Sequence, residues 1–387
     1  MIYTRAALKS RVNAGIHGRI GVLLDENDFI NDVARSVISD IDLRANIRKT
    51  ALSPKLFNGI YEYAAMTDLK EMGIIDIPPQ IKRDSKEWYL VTPTEFERLK
   101  GALPGAVIAI DHYNGTPKLL LSKDIDDENR IIAELDTLDS GGGNWEAFGD
   151  AENLEVDNNN YVKGSGSIKF DISAVAGTTA GIKNDTLDEY DIEDFVGTNG
   201  SAFVWAYISD VTDISNFILR LGQSSTDYYY QQITAQHDGT AFANGLNLLR
   251  FDLNNLGVFG SPAEISLTYA AVFMTKATGK ISQTGFRFDY LVLKRGEIYN
   301  IRYYSKYPWQ DSNGAYKENS TTDLDLLVAD STEYEIFILK GKQMAAEEAN
   351  EFEIAAKYET QYNEKKGRYT KQNPSERKIM TNEYHRF

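Results

Sequence analysis

The 387-residue chain contains no cysteine, which excludes disulfides, thiolate metal sites and a cysteine nucleophile. It has no run of eighteen apolar residues, and its start lacks the basic and apolar regions of a signal peptide. Neither a membrane span nor a secretory leader is therefore expected. Only four histidines occur, His17, His112, His237 and His385, each in a different segment and none at the HExxH or H-x3-H spacing of a metal site. GxSxG, P-loop and GxGxxG motifs are missing as well. "GSGS" at 164–167 lies between two strand-like stretches, whereas a phosphate cradle needs a helix N-terminus. No catalytic residue is assigned, so no enzyme activity and no required cofactor are expected.

What the chain does have is length, aromatic residues and uneven charge. Its length predicts two or three domains, and 23 Tyr with 17 Phe supply material for real cores. The formal charge of −16 argues against wholesale nucleic-acid binding. That total hides an asymmetry. Residues 1–55 hold nine Lys/Arg against six Asp/Glu, residues 144–297 ten against twenty, and residues 361–387 seven against three. Mildly basic ends flank an acidic middle, as in a chain of separate modules.

Thr4 is placed to cap a first helix ending near Gly18. In "DENDFINDVARSVISDID", Ile30, Val33, Ala34, Val37, Ile38 and Ile41 recur at helical spacing opposite Asp28, Asp32, Arg35 and Asp40. The period then changes to two in "IRKTALS", "GIYEYAA", "GIIDI" and "EWYLV". Thr92 and Glu95 form a capping box for the helix "PTEFERLK". "AVIAIDHYNGTPKLLLS" reads as a hairpin around Asn114-Gly115. A small sheet with one short helix therefore follows two amphipathic helices.

Three consecutive glycines, Gly141 to Gly143, then interrupt the chain; with no side chains to pack, they mark a loosening and a domain boundary. From Trp145 to about Lys294 short strands recur between turn signals, among them "GSIKFDI", "GSAFVWAYIS", "YYYQQITAQ", "NLLRFDL" and "FRFDYLVL". Phe203, Trp205 and Tyr207 share one face of their strand and Val204, Ala206 and Ile208 the other. Two apolar faces predict a strand buried between layers, and the strand count fits a jelly-roll sandwich. "NNYVKGSGSIKFDI", "NLLRFDL" and "FRFDYLVL" resemble the carbohydrate-binding-module jelly rolls over some 150 residues. In that resemblance Asp289 matches a position that often ligates a structural calcium.

After the sandwich, Thr332 with Glu335 reads as a further capping box, followed by helical stripes at Ile336, Phe337, Leu339 and Met344 and at Phe352, Ala355, Ala356, Tyr358 and Tyr362. Without residues 140–297, the remaining parts resemble the head-to-tail adaptor (neck) proteins of tailed bacteriophages. The residues that carry this are "INDVARSVISDIDLR", "YEYAAMTDLKEMGIIDI", "LVTPTEFERLK", "NGTPKLLL", "IRYYSKYPW" and the tyrosine-rich C-terminal helix. The expected fold class is α+β multidomain, a helical adaptor core with a small β-sheet interrupted by an all-β jelly-roll sandwich. The expected parts are an adaptor segment at 1–139, the inserted sandwich at 140–297, a second adaptor segment at 298–366 and an extended docking tail at 367–387. Insertion at a loop tip is the tolerated route.

The adaptor resemblance implies a structural virion protein of the neck, assembled in the host cytoplasm as a homo-oligomeric, dodecameric ring below the portal. Its partners would be the portal protein and other neck or tail proteins, with viral DNA passing through the lumen unread. The jelly roll adds a glycan ligand, and the rival reading is a glycan-binding phage adhesin or tail-fibre attachment protein.

Each candidate site has a plainer alternative. Asp289, between Phe288 and Tyr290, is either a calcium ligand, since a buried carboxylate needs a partner, or an ordinary hydrogen-bonded aspartate. Tyr228 and Tyr230 share a face and offer either a sugar-stacking platform or core packing. "DEYDIEDF" at 188–195 carries carboxylate pairs suited to glycoside hydrolysis, but acidic turns in an acidic domain read as a solvated surface. In the C-terminal tail, Ile379, Met380, Tyr384 and Phe387 are spaced as anchors for docking on the portal; the interleaved basic residues would equally suit a DNA lumen.

Overall fold

In the computed structural model the chain forms two units, one from residues 1–52, 65–117 and 299–387, the other from residues 53–64 and 118–298. The structure describes residues 3–15, 26–51, 56–57, 59–76, 88–99, 106–111, 117–122, 132–139, 145–174, 177–212, 214–277, 282–296 and 300–375. Gly141–Gly143, the Asn114-Gly115 turn, and Ile379, Met380, Tyr384 and Phe387 lie outside the described residues.

The first unit has helices α1 (Arg5–Gly15), α2 (Glu26–Asp40), α3 (Pro93–Leu99), α4 (Ser331–Glu348) and α5 (Phe352–Gln372). Thr4 Oγ1 accepts from Ala7 N–H at 3.2 Å and starts α1. The apolar stripe of α2, from Ile30 through Val33 and Val37, is buried in one core with Leu8, Val12, Ile336 and Phe337. Helix α4 packs against α1, α2 and α5. At the α1–α4 contact, a Cβ on Gly341 would sit 2.5 Å from Val12 Cγ2, so the close approach depends on that glycine.

The α4 capping box lies two residues earlier than the sequence pattern indicates. Asp330 accepts from Thr332 and Glu333 N–H, and Glu333 reaches back to Asp330 N–H at 2.8 Å. The physical reason is that Glu333 also serves the core: fully buried, it accepts from Tyr369 O–H at 2.6 Å. Tyr362 O–H donates to Asp40 in the same way, at 2.6 Å. Helix α5 ends at Gln372, just before Asn373-Pro374.

Two distant parts of the chain meet in a three-stranded sheet whose middle strand, Asn300–Ser305, pairs with Ile47–Ala51 on one side and Leu69–Asp76 on the other. Trp88–Val91 pairs parallel with Ala106–Asp111, and α3 forms the connection between them.

The second unit is a sandwich of two six-stranded sheets, with every described strand pair antiparallel. In the first sheet the order is Gly245–Asp252, Gly200–Ile208, Gln283–Arg295, Ser167–Ile172, Ala151–Asp157, and Ile132–Asp136 also pairs with Gln283–Arg295. In the second it is Gly257–Phe259, Asp227–Ile233, Ile214–Ser224, Tyr269–Lys276, Thr179–Asn184, Trp145–Gly149. Phe170, Val204, Leu219, Phe251, Val272 and Phe288 are among the residues that fill the space between them. Strand Ile132–Asp136 belongs to this sheet although it precedes the glycine run, because its partner strand is thirteen residues long and extends past Ser167–Ile172.

Among the described residues there are far more strands than helices. The whole is a β-rich multidomain protein, not a helical core with a minor sheet.

Candidate functional site

Strand Gly200–Ile208 does not bury both of its faces. Val204, Ala206 and Ile208 enter the sandwich core. The other face is graded. Phe203 is 2% exposed, covered edge-on by Phe57 with ring centroids 4.9 Å apart. Phe57 is itself held by Tyr63, whose hydroxyl accepts from Phe57 N–H at 2.7 Å and donates to its carbonyl at 3.0 Å. That cover reaches no further along the strand. Trp205 is half-buried and Tyr207 is 38% exposed, and both line an open groove of about 380 Å³. The expected burial between layers fails here because a side segment, and not a third sheet, covers this face.

Across the strands, Trp205 is in register with Asp289 and Tyr207 with Arg287. Between Phe203 and Trp205 the pairing carries a bulge, where Tyr290 adopts φ +53°. Bulges re-aim side chains beside sites, and this one lies next to Asp289. The Arg287 guanidinium lies 4.6 Å from the Tyr207 ring centroid and its Nε donates to Asp157 at 2.7 Å. Leu246 forms the apolar rim on the neighbouring strand.

The opposite wall is the loop 158–166, and three carboxylates hold it. Asp157 accepts from Asn159 N–H at 2.9 Å, from Asn160 N–H at 3.2 Å and from the Asn160 amide at 2.9 Å. These hydrogen bonds and Arg287 outweigh burial and hold the Asp157 carboxyl well below the usual carboxylate range. Asp289 Oδ2 accepts from Val162 and Lys163 N–H. Asp139 accepts from Ser165 N–H at 3.0 Å, beside Gly164 at φ +75°, where a Cβ would strike the Asp139 carboxylate. The loop thereby presents Asn159, Asn160, Tyr161 and Val162 to the groove. Burial, with the charge of Asp139 adding to it, pushes Asp289 above its ordinary value against those N–H contacts.

The structure places the sequence candidates on different surfaces. Asp289 is in the groove. Tyr228 and Tyr230 are on the outer face of the other sheet, on strand Asp227–Ile233. Tyr228 is buried, stacked on Phe259 at 5.0 Å with the Arg220 guanidinium 4.4 Å from its ring centroid, and Tyr230 is exposed. Sequence reading passed over Trp205, Tyr207, Arg287 and the Asn159–Asn160 pair as site residues. A usable signal was present in "FVWAYIS" and "FRFDY": aromatic residues on one strand face that match Arg and Asp at the same spacing on another.

Aromatic faces beside amides, a guanidinium and a carboxylate in an open groove can stack on a pyranose ring and hydrogen-bond its hydroxyls. No protein-family model matches the chain, and no curated protein matches it in sequence. Solved structures do. The chain is similar to the family 30 carbohydrate-binding module of the cellulosomal cellulase Cel9D-Cel44B of Clostridium thermocellum, at 11% identity and TM-score 0.29 over 44% of this chain and 96% of that one. The family 11 module of Lic26A-Cel5E from the same organism gives 12% and 0.27 over 43% and 95%. The xylan-binding domain from carbohydrate-binding module family 22 gives 18% and 0.24 over 42% and 92%. All three are carbohydrate-binding modules. Likeness at this level spans little more than two fifths of the chain and assigns no ligand by itself. The head-to-tail adaptor resemblance gains no support from these neighbours.

Proposed function

We propose that the sandwich unit binds a glycan chain in the groove over Trp205 and Tyr207, and that the protein acts by binding and not by turnover. The observation that carries this reading is the open pair of rings on one strand, set against Asp289 and Arg287 on the next and walled by Asn159 and Asn160. Stacking would supply affinity, and the polar groups would select among hydroxyl arrangements. Affinity electrophoresis of the full chain through gels containing soluble polysaccharides tests it. One or more glycans should retard the protein, and Trp205→Ala should weaken retardation at least tenfold, about 1.4 kcal/mol. Equal mobility of the wild type in every gel would sink the proposal.

The adaptor assignment is a second reading, for the first unit alone. What supports it, besides the sequence resemblance, is that helices α1 and α2 from the first part of the chain share one core with α4 and α5 from the last part. A variant with residues 118–298, the continuous part of the sandwich unit, replaced by a short linker should then still join a phage portal. A soluble variant that does not join removes this reading and leaves the glycan-binding adhesin.

A further inference from the structure

The calcium ion that the sequence resemblance implies at Asp289 does not fit the donors present. Calcium takes roughly six to eight oxygens, several of them from carboxylates. Among the described residues, no three or more of His, Cys, Asp and Glu come together as a metal site. The groove is shaped instead at its other flank, where it meets Phe203.

Phe203, Trp205 and Tyr207 are successive same-face residues of strand Gly200–Ile208, so their side chains stand in a row roughly 7 Å apart. Trp205 and Tyr207 line the groove, and Phe203 does not. At the open end of the row, Tyr207 is 38% exposed and its register partner Leu246 is 53% exposed. The other end is closed by Phe57, which comes from a different part of the chain and is fully buried against Phe203. The Arg250 guanidinium lies 4.9 Å from the Phe57 ring centroid; Arg250 is the register partner of Phe203, and its Nε donates to Ser201 Oγ at 3.1 Å. Phe57 also packs on Gly296, where a Cβ would sit 2.5 Å from the ring, so its seat depends on that glycine.

This closure is firmly mounted. Tyr63, which holds the Phe57 backbone at both its N–H and its carbonyl, belongs to strand Glu62–Ala64. His237 Nε2 donates to the Glu62 carbonyl at 2.9 Å. Lys118, on the paired strand Lys118–Leu121, meets Asp238 at 2.8 Å. Both contacts tie the strand to the sandwich segment 234–244.

Resting on the glycan reading above, we propose that Phe57 is a specificity-determining residue, the end stop of the groove. It confines stacking to Trp205 and Tyr207. A sugar unit carried along the row past Trp205 meets Phe57 and not the face of Phe203. The length of glycan that still gains affinity is therefore set by a residue outside the jelly-roll segment.

The test is calorimetric titration of the full chain with xylo-, cello- and galacturono-oligosaccharides, each as a ladder from disaccharide to octasaccharide. In the wild type, affinity should rise with length and level off once the two open rings are occupied. Phe57→Ala should move that plateau to longer members and bind them about threefold tighter or more, the contribution of one further stacked ring. Tyr63→Phe removes both hydrogen bonds to the Phe57 backbone and keeps a ring in place. It should move the plateau the same way by less, and it carries the test if the alanine variant does not fold. Adding Phe203→Leu to either variant should return the plateau to its wild-type length. A merely structural role for Phe57 would lower affinity alike at every length and leave the plateau where it was, which would overturn the end stop while leaving the glycan reading intact. A wild type whose affinity keeps rising to the octasaccharide would do the same. Failure of the wild type to bind any ladder would overturn the glycan reading and the end stop with it.

Discussion

On the outer face of one sheet, Trp205 and Tyr207 stand open beside Arg287 and Asp289. On the outer face of the other, Tyr228, Tyr269 and Phe273 stand beside Arg220. The residue types are nearly the same and the outcomes opposite. In the second face the rings cover one another. Phe148 lies 4.6 Å from Phe273, Phe259 stacks on Tyr228, and Arg220 spreads over Phe148, Tyr228 and Phe273, so Tyr269 and Phe273 are buried without a third layer. In the first face Arg287, paired with Asp157, lies over Tyr207, and the cover from Phe57 stops at Phe203. An aromatic face therefore stays open or becomes a satellite core according to what its neighbours are paired with.

Substitutions can break this contrast. The largest effect expected is on stability in the second face. Phe273→Ala should cost about 3–5 kcal/mol, read as a fall in Tm, whereas Trp205→Ala, at a half-buried ring, should lower Tm less and weaken glycan binding at least tenfold. Equal loss of stability in the two variants would erase the distinction.

Next in size is the Asp157–Arg287 pair. Asp157→Ala removes a carboxylate that accepts three hydrogen bonds from the wall loop and one from Arg287, and should cost about 2 kcal/mol and weaken glycan retardation together. Because the folded state depresses the Asp157 pKa, its contribution is present above the unfolded value near pH 4 and is lost as pH falls below it. Unfolding curves at pH 2.5 to 6 should show an acid limb that Asp157→Asn flattens. An unchanged limb would show that the pair does not hold the wall.

The smallest effect belongs to Tyr230, which packs over Gly257, where a Cβ would lie 2.4 Å from its ring. Tyr230→Ala should cost no more than about 1 kcal/mol and leave glycan retardation as it was. A loss of binding in this variant would move the ligand to the second face, alongside Tyr228.

Periodicity made most elements legible. The α2 stripe and the sandwich strands follow from side-chain spacing, because helix and strand each impose a period on whatever must be buried; of the α3 capping box, Thr92 Oγ1 accepts from Glu95 N–H at 3.3 Å, while the Glu95 carboxylate accepts from Arg98. The α4 cap was misplaced by two residues because Asp330 and Thr332 are both good capping residues, and only the buried position of Glu333 under Tyr369 decides between them. The candidate site was legible in one member, Asp289, whose place between Phe288 and Tyr290 signalled a buried carboxylate.

The sequence by itself determined which residues alternate on each strand, where the apolar stripes run, and that the acidic middle is built of strands. It also excluded cysteine chemistry from these residues, since that follows from residue types alone. Tertiary structure decided which alternate face stays open. Nothing in "GSAFVWAYIS" distinguishes Phe203 from Trp205; Phe57, some 146 residues earlier, covers one and not the other. It likewise decided that Asp157, Asp289 and Asp139 converge on one loop. Local spacing can report a face, but cover and convergence rest on contacts that local spacing does not report, such as Phe57 with Phe203 and Asp289 with Lys163.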